Sequence, residues 1–337
     1  MSDSDLIVLR PQGLYCPPGD FYIDPWRPVD RAVVTHAHAD HARRGHASYL
    51  CAQPGVQVLR ARLGEVAVQG LPYGQRLRLG EVMLSLHPAG HVLGSAQVRV
   101  EHGGRVWVAS GDYYCSGVGD ANPSVEAFEP VRCDCFITES TFGLPVYRWR
   151  PQAQVLQEVN AWWQANAQAG QASLLLAYSF GKAQRLLAGL DPSIGPIAVH
   201  GAVEPLNEAY RQAGVALPAT RRVEDMTREE LRQALVLAPP AVQGAAWTRR
   251  LGEYSDAFAS GWMQLRGTRR RQGLDRGFVL SDHADWPGLQ RAIGATGASR
   301  VIVTHGYEAV MVRWLQEQGL DAGSLRTEFG QEEAAPA

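Results

Sequence analysis

Within the run Thr35-His36-Ala37-His38-Ala39-Asp40-His41, four metal-ligand side chains fall in six positions, directly behind the apolar stretch Ala32-Val33-Val34. Alternation with alanine lets His36 and His38 point one way while Asp40 and His41 serve a second ion. Polar groups crowded in this way would be costly without a common task, and metal binding is one that satisfies them all. Neutral imidazoles with a carboxylate suit zinc, or manganese where more oxygen is supplied. A chance histidine-rich surface loop is the competing reading, yet HxHxDH is far more restrictive than a lone HxH.

Two more ligand candidates stand where an apolar run meets a glycine turn. His91 lies in His87-Pro88-Ala89-Gly90-His91-Val92-Leu93-Gly94, and Asp112 closes Ser110-Gly111-Asp112 after Val106-Trp107-Val108. Either alone would more often be a turn residue; beside HxHxDH both become ligand candidates. His46, His87, His102 and His200 are not expected to bind metal. His87 precedes a proline, and His102 precedes the hairpin-like Gly103-Gly104.

These residues need a scaffold, and the chain offers one of mixed type. The first half reads as short strands at Phe21 to Ile23, Ala32 to Val34, Val82 to Leu86, Gln97 to Val100, Arg105 to Ala109 and Phe136 to Thr138. From residue 153 to 166 the spacing of Val155, Leu156, Val159, Trp162 and Trp163 is helical, 174–177 is strand-like and 182–190 is helical again. Apolar runs at 278–280 and 301–304 predict buried strands, each followed by a turn and a helix. Asp285 is placed to cap one of those helices and Gly319 to end the other. The expected organisation is a first domain over residues 1–145, an inserted α/β domain over 146–272, a return segment over 273–330 and a disordered tail over 331–337.

With 337 residues and 45% apolar content, the chain can bury a substantial core. No run of eighteen apolar residues occurs and the first ten residues are acidic, so membrane insertion and export are not indicated and a cytoplasmic location is expected. Five scattered cysteines without a CxxC pair argue against a disulfide framework or a thiolate zinc site. The net charge of −2 does not advertise a polyanionic partner, so a nucleic-acid reading must rest on local charge. The strongest local cluster is Arg266, Arg269, Arg270, Arg271 and Arg276, whose bland reading is a solvated loop.

The order of these motifs resembles the metallo-β-lactamase superfamily. The resemblance implies one metal held by His36, His38, His91 and Asp112, and a second held by Asp40, His41 and a bridging Asp112. Asp24 matches an acidic position that supports the ligands from behind. Three later motifs resemble those of the β-CASP nucleases: Glu139 in Thr138-Glu139-Ser140-Thr141, His283 in Ser281-Asp282-His283-Ala284-Asp285, and His305 in Val303-Thr304-His305-Gly306. The implied fold is an α/β metallo-β-lactamase αββα sandwich with an inserted α/β β-CASP domain.

Within that family, the run from Gly13 to Trp26, the compact insertion and Ser281-Asp282-His283-Ala284-Asp285-Trp286 look like the bacterial ligase-associated DNA exonucleases. That likeness implies 5′-to-3′ action on DNA ends, single-stranded or 5′-phosphorylated, in repair alongside a DNA ligase and a helicase. A histidine at the third motif is instead usual in RNA-processing members, while the eukaryotic DNA-processing branch carries valine there.

Two divalent ions, zinc and/or manganese, would activate water for attack on phosphorus and neutralise developing charge. His305 is expected to complete the second metal site. Asp40, His283 and Glu139 are the candidate catalytic residues, with His283 as general acid oriented by Glu139, because a carboxylate partner favours the protonated imidazole. A core histidine bonded to backbone is the alternative for His283.

Ser179 and Lys182, the single lysine, lie between a strand and a helix and are candidate 5′-phosphate ligands, with Arg269, Arg270 and Arg271 tracking the strand. A surface lysine at a helix start is the alternative. Competing functions are a ribonuclease of the ribonuclease J kind, a thioester hydrolase of the glyoxalase II kind, which leaves Glu139, His283 and the insertion unexplained, and an inert nucleic-acid-binding subunit, in which ligands would be lost.

Overall fold

The structure, a computed structural model, describes residues 5–115, 122–267, 270 and 273–329. The chain divides into two compact units, one built from residues 1–119, 125–148 and 283–334 and the other chiefly from residues 149–282. Both mix strands with helices, so the protein is α/β as expected. The tail expected to be disordered at 331–337 lies outside the described residues.

The first unit holds two sheets. One runs in the order Val8–Arg10, Gly13–Cys16, Phe21–Ile23, Arg31–Val33, Ser48–Ala52 and Val68–Leu71. Its first two pairings are antiparallel and the other three parallel. The other runs Asp321–Ser324, Arg300–Gly306, Cys135–Ser140, Arg105–Ala109, Ala96–His102, Val82–Pro88 and Leu77–Leu79, parallel over its first four strands and antiparallel after.

Residue alternation explains how the second sheet is buried on both faces. Trp107, Cys135, Ile137 and Ile302 pack on one side in a core shared with Phe21, Ile23 and Val33 of the first sheet. Val108, Phe136, Val301 and Val303 point the other way, where helices Trp286–Thr296 and Glu308–Glu317 cover them with Leu289, Ile293, Met311 and Leu315. Asp285 caps the first of these helices by accepting from Gly288 N at 2.8 Å. Gly319, with φ of 83°, follows the end of the second.

The second unit carries one parallel sheet in the order Arg221–Arg222, Ile197–Val199, Leu235–Ala238, Ala172–Leu176, Tyr254–Ala259 and Arg276–Phe278. Helix Gln152–Gln168 buries the predicted stripe of Val155, Leu156, Val159, Trp162 and Trp163. The return to the first unit comes at residue 283, not at 273. Strand Arg276–Phe278 pairs with Tyr254–Ala259, and Phe278 packs edge-on to Trp162 with ring centroids 5.7 Å apart. Pairing and burial therefore keep this strand in the second unit.

Candidate metal centre

The chemistry-bearing residues of the first unit sit at the carboxyl ends of strands. Asp24 follows Phe21–Ile23, the histidine run follows Arg31–Val33, His91 follows Val82–Pro88, and Asp112 follows Arg105–Ala109. Glu139 and His305 lie near the ends of the parallel neighbours Cys135–Ser140 and Arg300–Gly306. Register between those two strands shifts between Thr138 and Ser140, an irregularity that falls at Glu139 and re-aims its side chain.

Two glycines make the approach possible. Gly111 has φ of 55°, and a Cβ there would stand 2.6 Å from the Thr35 side chain; at Gly306, with φ of 89°, it would stand 2.3 Å from the Ser140 backbone. Neither position accepts a side chain without displacing the loop that carries Asp112 or His305.

Asp112 is the hub. Its Oδ2 lies 3.5 Å from His36 Nε2, 3.3 Å from His41 Nε2 and 3.9 Å from His91 Nε2, and its Oδ1 lies 3.1 Å from His305 Nε2. His38 Nδ1 and His91 Nε2 are 3.0 Å apart. Ligand atoms of His36, His38, His91 and Asp112 all fall within 4.8 Å of one another. Asp40 Oδ2 stands 3.7 Å from His41 Nε2. The structure thus gathers the other six metal-ligand candidates around the Asp112 carboxylate.

A supporting layer sets the ring tautomers. Asp24 has an unusual φ of 45°, a conformation in which aspartate costs less than most residues. Its carboxylate accepts from Thr35 N at 2.7 Å, from Thr35 Oγ1 at 2.5 Å and from His41 Nδ1 at 2.7 Å. With its proton given to Asp24, the Thr35 hydroxyl accepts from His36 Nδ1 at 3.0 Å. Thr304 repeats the device: it donates to Thr138 O and accepts from His305 Nδ1 at 3.0 Å. In each case Nδ1 is engaged and Nε2 is the nitrogen turned toward Asp112, where a bound cation would take its lone pair. The repeated Thr-His pair, visible in the sequence at 35–36 and 304–305, was the missed signal for this layer.

The donor set fits divalent cations. Asp24, Asp40, Asp112 and Glu139 are all buried, and carboxylates withdrawn from water need compensating charge. Among the described residues, the buried His36 Nε2 and His41 Nε2 find no hydrogen-bond partner of good geometry. Burial, then charge on His41, holds His36 well below the ordinary histidine range. For His41, burial opposes the charged form, but Asp112, Asp40 and Asp24 outweigh it and hold the ring well above that range. Burial likewise works against charge on Asp112, while His41 and His283 hold it well below the usual carboxylate range.

A consequence for metal uptake follows from His41. In the metal-free chain its proton contributes stability below the unfolded histidine pKa, lost as pH rises through the raised folded value. A cation ligated at Nε2 must displace that proton, so metal affinity rises with pH. Metal titration at neutral pH is therefore expected to release a proton, read as a heat that varies with the ionisation enthalpy of the buffer. A heat independent of buffer would contradict this assignment.

Beside the cluster, His283 Nδ1 lies 2.8 and 2.9 Å from the two oxygens of Glu139. Glu139 also accepts from Tyr113 N at 2.8 Å, and Tyr113 O accepts from Ala284 N at 2.8 Å, so one residue ties down both partners. The sequence did not point to Tyr113, because the contacts are made by its backbone. Asp112, Glu139 and His283 present atoms within 4.8 Å of one another, which places His283 at the rim of the hub.

The second unit departs from expectation. Lys182 is almost fully buried and its ammonium lies 3.3 Å from Asp282, which Arg185 Nη1 also approaches at 3.3 Å. The first amides of helix Lys182–Leu187 are also engaged: Gly181 N donates to Gln184 Oε1, Lys182 N to Phe180 O and Ala183 N to Tyr178 O. Lys182 is therefore an internal counter-ion, not a free phosphate ligand; Ser179, half-buried, accepts at its carbonyl from Gln184 Nε2.

Arg270 is exposed, whereas Arg269 and Arg271 lie outside the described residues. His87 bonds Ser85 and Glu129, and His102 bonds Glu81 O. All five cysteines are free, and burial pushes the thiols of Cys16, Cys51, Cys133 and Cys135 up to about 12.

Comparison with known proteins adds an independent line. No protein-family profile matches the chain. A probable DNA ligase of Opitutus terrae is 34% identical over 93% of this chain and 30% of its own length. A ribonuclease of Thermus thermophilus is 27% identical over 50% of this chain and 44% of its own length. An endoribonuclease of Yarrowia lipolytica is 28% identical over 37% of this chain and 14% of its own. The chain thus spans less than half the length of each of these relatives.

A crystal structure of a protein of unknown function from Enterococcus faecalis superposes with a TM-score of 0.54 at 10% identity, over 81% of this chain and 74% of that one, a likeness of fold alone. Likeness over nearly the whole chain to a ligase-named relative, and over shorter spans to ribonucleases, supports the resemblance to the nuclease-like, ligase-associated members of the metallo-β-lactamase/β-CASP family.

Proposed function

We propose that the protein is a metal-dependent nuclease that hydrolyses phosphodiester bonds in DNA, acting as a 5′-to-3′ exonuclease in repair. On this reading the first unit is the metallo-β-lactamase sandwich and the second the β-CASP insertion. The observation that carries it is the Asp112 hub, with four histidine nitrogens within 4 Å of one carboxylate and the His283–Glu139 pair beside it.

His36, His38, His91 and Asp112 would hold one cation, and Asp40, His41, His305 and Asp112 the other, zinc and/or manganese. Bound there, two such ions supply a nucleophilic water at neutral pH and neutralise charge on the phosphoryl oxygens. His283, held by Glu139, keeps a proton ready for the departing 3′-oxygen.

Several features favour a DNA substrate. The relative that matches 93% of the chain is named a DNA ligase, which supports a shared pathway with a ligase and, by family likeness, a helicase. In the second unit a cavity of about 650 Å³ is lined by Arg150, Arg266, Arg270 and Arg276 with Glu158 and Asp275. Glu158 is taken up by Arg150 at 2.7 Å, so the remaining guanidiniums outnumber the carboxylates and suit a phosphate backbone. Among the described residues no helix is long and apolar enough to cross a membrane, compatible with work on DNA in the cytoplasm.

A ribonuclease reading has its own support, because His305 stands against Asp112 and two relatives are named as ribonucleases. Both are tested by offering the metal-loaded protein matched 5′-phosphorylated linear DNA and RNA together with circular single-stranded DNA. Shortening of linear DNA from the 5′ end, with circles intact, is the expected outcome. Cut circles would make the protein an endonuclease, loss of RNA alone would establish the second reading, and no cleavage at all would remove both.

A further inference from the structure

Phe329, near the end of the described residues, lies flat on the His41 ring, with centroids 4.5 Å apart and planes inclined by 16°. Its edge faces His305 at 6.0 Å and Trp26 at 5.6 Å. The segment leading to it is fastened at three points. Leu325 N donates to Val303 O and Thr327 Oγ1 to Thr304 O, both at 2.9 Å, while Glu328 pairs with Arg43 at 3.5 Å. Arg43 in turn donates to Trp26 O at 3.3 Å. The segment thus passes directly behind two of the candidate ligands.

We propose that Phe329 is a positioning residue that fixes His41 for the cation shared by Asp40, His41, His305 and Asp112; this rests on the two-cation reading. His41 is tethered at Nδ1 by Asp24, but one hydrogen bond leaves the ring free to rock about it. The phenyl face blocks that motion and leaves Nε2 aimed at Asp112. Phe329 also helps wall a cavity of only about 10 Å³ beside Asp24, Thr35 and His41, at the lower limit for one water molecule. Removing the ring would enlarge it and let water compete for the Asp24–His41 bond. Phe329 makes its ring contacts with His41 and His305, so its effect is expected to fall on the cation those two histidines would share.

The test is titration of the chelator-stripped full-length protein with Mn²⁺ or Zn²⁺ against a chromophoric chelator, for wild type and for Phe329→Ala, Phe329→Leu and Phe329→Tyr. Wild type is expected to take up two ions. Phe329→Ala should keep one at wild-type affinity and bind the other about 10- to 100-fold more weakly. Phe329→Leu, which preserves apolar cover without a flat face, should show the same selective loss should the alanine variant misfold. Phe329→Tyr should restore both ions. Unchanged affinities in the alanine and leucine variants, or equal weakening of both ions, would overturn the proposal. A wild-type chain binding fewer than two ions overturns the reading beneath it, an outcome visible before any variant is made.

Discussion

Substituting Asp112 with alanine is expected to strip the protein of both cations and lower hydrolysis by roughly 10⁴-fold or more. The reason is geometric: Asp112 presents oxygens to histidines of both half-sites, His36 and His91 of one and His41 and His305 of the other. Loss of any single histidine leaves other ligands in place for each ion, whereas loss of this carboxylate removes a ligand from each. Its charge is also what His41 and His283 face, so alanine leaves that electrostatic arrangement without its centre. Elemental analysis of D112A together with a cleavage assay checks the claim. Two ions retained in the variant would show that Asp112 does not bridge.

His283→Ala should separate chemistry from metal binding. It is expected to lower kcat by about 10² to 10⁴, the usual worth of a positioned general acid, with metal content unchanged. The defect should shrink for a substrate carrying a p-nitrophenolate leaving group, which departs without a proton. That comparison distinguishes a proton donor from a ligand. The distinction matters because His283, Asp112 and Glu139 present atoms within 4.8 Å of one another, close enough to share an ion. If H283A lost metal, or were equally impaired on both substrates, His283 would have been misassigned.

How much of this was legible in the sequence depended on how local the determining physics is. HxHxDH could be read because its ligands are adjacent, and His91 and Asp112 because each follows an apolar strand at a turn, whereas His305 stood out only through its resemblance to a family motif. The helical stripe from Val155 to Trp163 was legible for the same reason: its periodicity is carried by one segment. The boundary at 283 was not, because strand Arg276–Phe278 declares its unit only through pairing with Tyr254–Ala259. Nor could a lone lysine in an arginine-rich chain reveal that Asp282, a hundred residues on, would claim its charge. Phe329 gave no sign at all, since an aromatic residue near a polar tail means nothing until the ring it covers is known.

The central claim is that the buried His-carboxylate cluster of the first unit holds two divalent cations. Anomalous diffraction at the zinc and manganese edges, from crystals of active protein, addresses it most directly. Two peaks are predicted, one among His36, His38 and His91 and one among Asp40, His41 and His305, with Asp112 between them. Active protein showing no anomalous peak within this cluster would contradict it.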